Sequence, residues 1–402
     1  MTMAENKEKK VLNVPNLRFP EFEGEWKEHY LSDYLDFKNG LNPKPERFGK
    51  GIRFISVMDI LNNAVITNDC IRASVDVSEE ELLSFCVENG DILFQRSSET
   101  LEDVGRANVY MDNKPAVFGG FVIRGKKKAE YDPLFFRYLL ASPFARKKII
   151  PMGAGAQHFN IGQEGLNKVK LHFALLDEQK KIARLLSLLD ERIAIQNKII
   201  EDLKKLRSAI IEREYTFKVQ THSHIGDFIE QNSNRNKDNI IQNVLSVSNR
   251  QGFIRQREQF EDRSIASDDT SNYKIVARND FAFNPARINV GSIARLTTFE
   301  KGIVSPMYIC FHTKNSILPE YLSFYFETKQ FFSEIQKRLE GSVRQCLSYE
   351  GLCNIPFFPP VIEDQRRIGK RLFTLVQKFN LEMTFLEMLQ KQKTYLLRQM
   401  FI

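Results

Sequence analysis

Several things are scarce in this 402-residue chain. Its five cysteines, Cys70, Cys86, Cys310, Cys346 and Cys353, form an odd set without a C-x-x-C pair. Buried thiols of a reducing compartment are therefore expected, not a disulfide frame or a zinc site. Its six histidines (His29, His158, His172, His222, His224 and His312) show no metal-ligand spacing, and His222 with His224 reads as an exposed linker pair. No stretch approaches the about 20 uninterrupted apolar residues of a membrane span. The opening Met1-Thr2-Met3-Ala4-Glu5-Asn6-Lys7 lacks an apolar signal core, so a cytoplasmic protein without membrane association is expected.

Catalytic signatures are missing as well. There is no GxxxxGK[ST] loop to cradle a nucleotide. Gly153-Ala154-Gly155 starts like a dinucleotide fingerprint but lacks the third glycine. Asn284-Pro285-Ala286-Arg287 begins like the Asn-Pro-Pro-aromatic loop of adenine methyltransferases, without the second proline or the stacking ring. No acidic pair with a following lysine sits on an expected strand. No catalytic residue, no metal site and no bound cofactor are assigned, and the chain is not expected to be an enzyme by itself.

What is present is a duplication. Glu164-Gly165-Leu166 through Asp177-Glu178-Gln179-Lys180-Lys181-Ile182 returns, about 186 residues later, as Glu350-Gly351-Leu352 through Glu363-Asp364-Gln365-Arg366-Arg367-Ile368. Asp132-Pro133-Leu134-Phe135-Phe136-Arg137-Tyr138-Leu139 matches Leu318-Pro319-Glu320-Tyr321-Leu322-Ser323-Phe324-Tyr325, and Val104-Gly105 matches Val290-Gly291. Solenoid units run to about 20–50 residues, so this period is a whole duplicated domain. It gives the chain a pseudo-two-fold internal repeat, suited to a target with two halves. The formal charge of +7 and a pI near 9.0 favour an acidic partner such as nucleic acid.

Each copy ends in a long charged helix. In the first, Ile182, Leu189, Gln196, Leu203 and Ile210 recur every seven residues, with Leu186, Ile193, Ile200 and Arg207 four residues after each. The second keeps the frame: Ile368, Leu375, Glu382, Leu389 and Leu396, then Leu372, Phe379, Leu386 and Lys393. Even the polar interruptions coincide. Two such seams in a domain–helix–domain–helix chain are best satisfied by an antiparallel coiled coil. About 35 residues at 1.5 Å each make a rod of roughly 50 Å, or about 15 base pairs of duplex DNA.

The fold class is α+β: two similar mixed α/β domains joined by the paired helices. The expected boundaries are an N-terminal arm at 1–26, a first domain at 27–172, a helical spacer at 173–215, a second domain at 216–358 and a C-terminal spacer at 359–402. Strands are expected at Arg53-Phe54-Ile55-Ser56-Val57, Asp91-Ile92-Leu93-Phe94 and Val117 to Ile123. Their counterparts are Val244-Leu245-Ser246-Val247, Asp280-Phe281-Ala282-Phe283 and Ile303 to Phe311. The 32 phenylalanines lie mostly in such apolar runs and read as core. Between the matched strands the copies diverge: the stretch Gln95 to Asp103 faces Asn284 to Asn289, which is three residues shorter.

Each globular region closes with a Gly-x-x-x-Gln corner, Gly153 to Gln157 and Gly341 to Gln345, then Glu-Gly-Leu, an apolar strand and the helix opened by an acidic pair, Gln and basic residues. With the opening Asn16-Leu17-Arg18-Phe19-Pro20-Glu21-Phe22, this pattern resembles the specificity subunit of type I restriction–modification systems over nearly the whole chain. The first copy departs from it, having Leu175-Leu176-Asp177 where a proline commonly precedes the acidic pair; the second keeps Pro359-Pro360.

The resemblance implies two target-recognition domains that each read half of a split double-stranded DNA sequence. It implies two modification subunits supplying adenine methylation from S-adenosylmethionine, and restriction subunits supplying ATP- and Mg-dependent translocation and cleavage. Base reading needs forked side chains, Arg for guanine and Asn or Gln for adenine. The candidates in the first copy are Gln95, Arg96, Ser97, Arg106 and Gln157; in the second they are Asn249, Arg250, Arg255, Arg257, Asn284, Arg287 and Gln345. Arg124, Lys126, Lys127 and Lys128 read as phosphate contacts on a basic turn. Three rivals stand beside this reading: a methylation-only system, a stand-alone methyltransferase or nuclease, and a scaffold that binds only protein.

Overall fold

The computed structural model describes residues 12–216, 223–249, 251–256, 269–341 and 345–402. It divides into two compact units, Met1–Asn197 with Thr384–Ile402, and Lys198–Met383. Each unit thus holds one globular region and a portion of both long helices, Leu176–Glu214 and Ile362–Gln399.

In the first unit a four-stranded antiparallel sheet runs in the order Leu35–Asn39, Val122–Lys127, Ile92–Gln95, Ala107–Val109. A smaller sheet places Phe48–Ile55 between Ser74–Val75 and Ala116–Phe118, the latter pairing parallel with Arg53 opposite Ala116. The second unit repeats this plan. Its antiparallel sheet runs Ile229–Asn232, Ile309–Thr313, Phe281–Phe283, Ile293–Arg295. Its other sheet again contains one parallel pair, Val244–Ser248 beside Lys301–Val304.

The apolar runs form strands for the expected reason: they are apolar residues, several of them β-branched or aromatic, buried on both faces. Ile92, Leu93 and Phe94 are all buried, as are Phe281, Ala282 and Phe283. The run Val117 to Ile123, expected as one strand, is two. The chain turns at Gly119-Gly120, and the halves enter different sheets. Ile303 to Phe311 divides in the same way.

A short strand, Lys170–Phe173, pairs with Lys27–Tyr30 and closes the first globular region just before its long helix. In the second copy the expected strand after Glu350-Gly351-Leu352 shrinks to a single bridge between His224 and Pro356 among the described residues. Proline has no N–H to extend a ladder, and Pro356 is followed closely by Pro359 and Pro360.

Both cores join sheet-backing helices to the long ones. In the first unit Ile182, Leu186 and Leu189 pack with Leu389, Leu396, Phe401, Trp26 and Phe135. In the second, Ile210 and Ile211 pack with Ile368, Leu372, Tyr321 and Leu322. The early turns of one helix therefore meet the late turns of the other within the first unit, and the reverse holds within the second: the antiparallel order. Every seam residue expected from the heptads is buried or half-buried, including Ile193, Ile200, Leu203, Leu375, Phe379 and Leu386. Burying one such aliphatic side chain contributes about 1.5–3 kcal/mol.

Candidate nucleic-acid interface

The divergent loop of the first unit leaves the strand Ile92–Gln95 and is held by main-chain bonds. The Gln95 N–H donates to the Arg106 carbonyl at 2.7 Å, and Gly105 N–H donates back to the Gln95 carbonyl at 2.9 Å. Gly105 has φ of 67°, and a Cβ there would lie 2.6 Å from Ile149 Cγ2, so the turn requires glycine. The Gly-x-x-x-Gln corner is a hairpin whose rungs are two bonds of 2.9 Å between Ala154 and Asn160. It docks on the loop through Ile161 N–H donating to the Arg96 carbonyl at 2.9 Å. Ser97–Ser98 also pairs with Phe159–Asn160 as a two-residue ladder. The structure thus gathers Arg96, Ser97 and Arg106 next to the hairpin that carries Gln157 on its exposed side.

The second unit builds the same frame from other residues. Asn284 N–H donates to the Ser292 carbonyl at 3.0 Å, Glu340 and Cys346 exchange bonds of 3.0 and 2.9 Å, and Leu347 N–H donates to the Pro285 carbonyl at 3.1 Å. Gly291, in the place of Gly105, has φ of 90°. Here Asn284 and Arg287 share one edge with Gln345, beside the Glu340–Cys346 bridge, with Arg287 and Gln345 exposed. Asn249 joins them: a Cβ on Gly291 would lie 3.7 Å from its own Cβ.

Not every candidate stands at these edges. Gln95 is 5% exposed and its amide donates to the Ser97 carbonyl at 2.9 Å, so it braces the loop from beneath. The expected basic turn is instead the strand Val122–Lys127. Arg124 is 6% exposed, donates to the Cys86 carbonyl and lies over the Phe118 ring, which corrects its reading as a phosphate contact. Lys126 pairs with Glu88 at 2.7 Å, and Lys127 donates to the Tyr131 carbonyl at 3.2 Å. Gln95 lies opposite Val122 and Ile92 opposite Gly125, so these lysines occupy the strand end away from the loop. Lys128 is exposed at that end. Arg255 is exposed, stands opposite Leu245 and covers the Phe299 ring at 5.5 Å. Arg250 and Arg257 lie outside the described residues.

Two residues escaped the sequence reading. Phe121 and Met307 occupy equivalent turns and are 67% and 61% exposed. The Phe121 carbonyl accepts from Arg96 N–H at 2.8 Å, and Met307 Sδ accepts from Asn284 Nδ2 at 3.8 Å. Exposed apolar side chains of this kind are the chemistry that would pack against a thymine methyl group. Behind the first loop, Arg146 donates to the carbonyls of Glu102 (2.9 Å) and Val104 (2.6 Å), while Arg106 pairs with Asp103 at 2.6 Å. Burial and the neighbouring Arg106 guanidinium hold Arg146 down to about 10. Among the described residues no group of three or more His, Cys, Asp or Glu is placed to hold a metal, and no helix is long and apolar enough to cross a membrane.

The family model for the type I restriction modification DNA specificity domain matches residues 23–205. A Methanocaldococcus jannaschii protein named for the type I restriction enzyme MjaX specificity subunit is 26% identical over 228 residues, covering 54% of this chain and 53% of its own. The EcoKI specificity subunit of Escherichia coli is 25% identical over 175 residues, 42% of this chain and 36% of its own. The chain spans about half the length of the first curated relative and about a third of the second.

Among solved structures, the S subunit of a type I restriction–modification system from M. genitalium superposes with a TM-score of 0.59 at 17% identity, covering 97% of this chain and 99% of that one. A chain from a study of complex assembly in the type I system gives 0.54 at 12% identity, covering 92% and 96%. Residues 23–205 thus match the type I restriction modification DNA specificity domain, and the chain as a whole shares the fold of the M. genitalium S subunit.

Proposed function

We propose that this chain is the sequence-specific DNA-binding, specificity subunit of a type I restriction–modification complex. Each globular region reads one half of a bipartite, asymmetric duplex target, and the paired helices set the gap. The observation that carries this reading is the repeated main-chain frame: two units hold dissimilar loops in the same way, as two different half-sites require. Forked and apolar side chains stand on both edges, Arg96, Arg106, Gln157 and Phe121 on one and Asn249, Asn284, Arg287, Gln345 and Met307 on the other.

The chemistry belongs to partners: two modification subunits using S-adenosylmethionine, and restriction subunits using ATP and Mg. This chain contributes no catalytic group. The long helices offer the docking surface. Leu381, Met388 and Tyr395 repeat every seven residues and are 66%, 62% and 57% exposed, and Leu188, Ile195, Ile199 and Leu206 are exposed on the other helix. An apolar stripe at heptad spacing takes a further helix.

The test is adenine-methylation mapping by long-read sequencing in a host that expresses this chain with its cognate modification subunit. Two short blocks separated by a fixed unread gap are expected. A single continuous motif, or methylation by the purified chain alone, sinks the reading.

A further inference from the structure

One pair of buried polar side chains has no part in reading DNA. Gln179 and Gln365 hold equivalent places in the first turn of the two long helices, and they are 3% and 1% exposed. Gln179 Oε1 accepts from the Asp132 N–H at 3.0 Å, and its Nε2 donates to the Ala174 carbonyl at 2.9 Å. Gln365 Oε1 accepts from the Leu318 N–H at 2.8 Å, and its Nε2 donates to the carbonyls of Pro360 at 2.8 Å and Ser316 at 3.3 Å. Both Oε1 bonds span 47 residues.

The two ends of each staple are telling. Asp132 and Leu318 are the N-cap residues of the domain helices Pro133–Ala141 and Pro319–Tyr325. Ala174 and Pro360 lie just before the long helices Leu176–Glu214 and Ile362–Gln399. One carboxamide thus ties the start of a domain helix to the start of a long helix. An apolar side chain of that size would fill the same space, but its contacts are non-directional. A carboxamide fixes an angle, because its acceptor and donors point in set directions.

We infer that Gln179 and Gln365 are positioning residues that set the angle of each recognition domain on its long helix, and hence the length of the unread gap. This rests on the two-reader function proposed above. A domain of about 140 residues has a radius of gyration of about 14 Å, which puts its reading edge on the order of 20 Å from the staple. At that radius a rotation of about ten degrees moves the edge by about 3.4 Å, one base step. Both glutamines are buried, so the effect falls on spacing and not on the bases read.

The experiment is methylation mapping of complexes carrying Gln179→Met or Gln365→Met, assembled with the cognate modification subunits, beside the parental chain and a Leu186→Ala control. Each methionine variant is expected to keep both half-site sequences while sites one base pair longer or shorter rise to about a tenth of parental occupancy. Leu186→Ala, which weakens the core but spares the staple, is expected to lower occupancy at an unchanged gap. A single sharp gap in both methionine variants overturns the inference, as does altered base preference in either half-site. If one variant fails to fold, the other decides. A parental motif without a gap overturns the two-reader function itself, which separates that failure from this one.

Discussion

The two globular regions agree where the main chain is concerned and differ where side chains are. In both, a strand ends at a carbonyl or N–H locked to a residue beside a left-handed glycine, and the residue after a bridged pair donates one N–H back to the loop. Around that frame the first loop is long and carries Glu99, Glu102 and Asp103, braced by Arg106 and Arg146. The second is three residues shorter, has no acidic residue, and has Phe332 where the first has Arg146. Shared geometry is thus carried by backbone and glycine, and individuality by side chains that no fold requires.

The comparison breaks most visibly in the core. Leu186 and Leu372 are equivalent and both fully buried, so alanine at either is expected to cost about 2–5 kcal/mol, read by chemical denaturation. A cost below about 1 kcal/mol at one and not the other would show that the two seams are not the same structure. Next in size are the reading edges. Arg287→Ala is expected to lose about 1–3 kcal/mol of discrimination in the second half-site alone, and Arg106→Ala in the first alone, measured by binding to duplexes varied at one position at a time. Crossed effects would mean that the two edges do not read separately.

The smallest effect is a shared pH dependence. Asp91 and Asp280 are equivalent, and burial raises the carboxyl pKa of both despite bonds from backbone N–H groups. The folded chain therefore holds these protons more firmly than the unfolded one. The stability they contribute is full below the ordinary aspartate value of about 3.9, and it is lost as pH rises through the raised folded value. Relative to the parent, Asp91→Asn and Asp280→Asn should each gain denaturant resistance as pH climbs through that window. A flat difference for one of them would show that its carboxyl is not held as its counterpart is.

Much of the frame was legible because it repeats. The heptads from Ile182 to Ile210 and from Ile368 to Leu396 both fall inside the long helices Leu176–Glu214 and Ile362–Gln399, since an uninterrupted seam has only one periodic solution. The reading edges were less so. Polar side chains at Gln95 and Arg124 look the same in sequence as those at Arg96 and Lys128, but strand register turns the first two inward, and register depends on partners far along the chain. Phe121 and Met307 escaped for the opposite reason: an apolar residue in an apolar run reads as core, and only the turn after Gly119-Gly120, or after Ser305-Pro306, lifts it to the surface.

The anchors of these loops, Gln95 to Arg106, Ile161 to Arg96 and Leu347 to Pro285, are all peptide groups. Peptide groups are the one part of a protein that mutation rarely removes. Apart from the glycine and the absence of proline at a donor, the letters between the anchors can drift without the scaffold registering the change. Novelty at the edge is therefore nearly neutral for folding. A lineage carrying such a frame can exchange edge side chains one residue at a time, in either half, while the rest of the molecule stays under selection for what it already does.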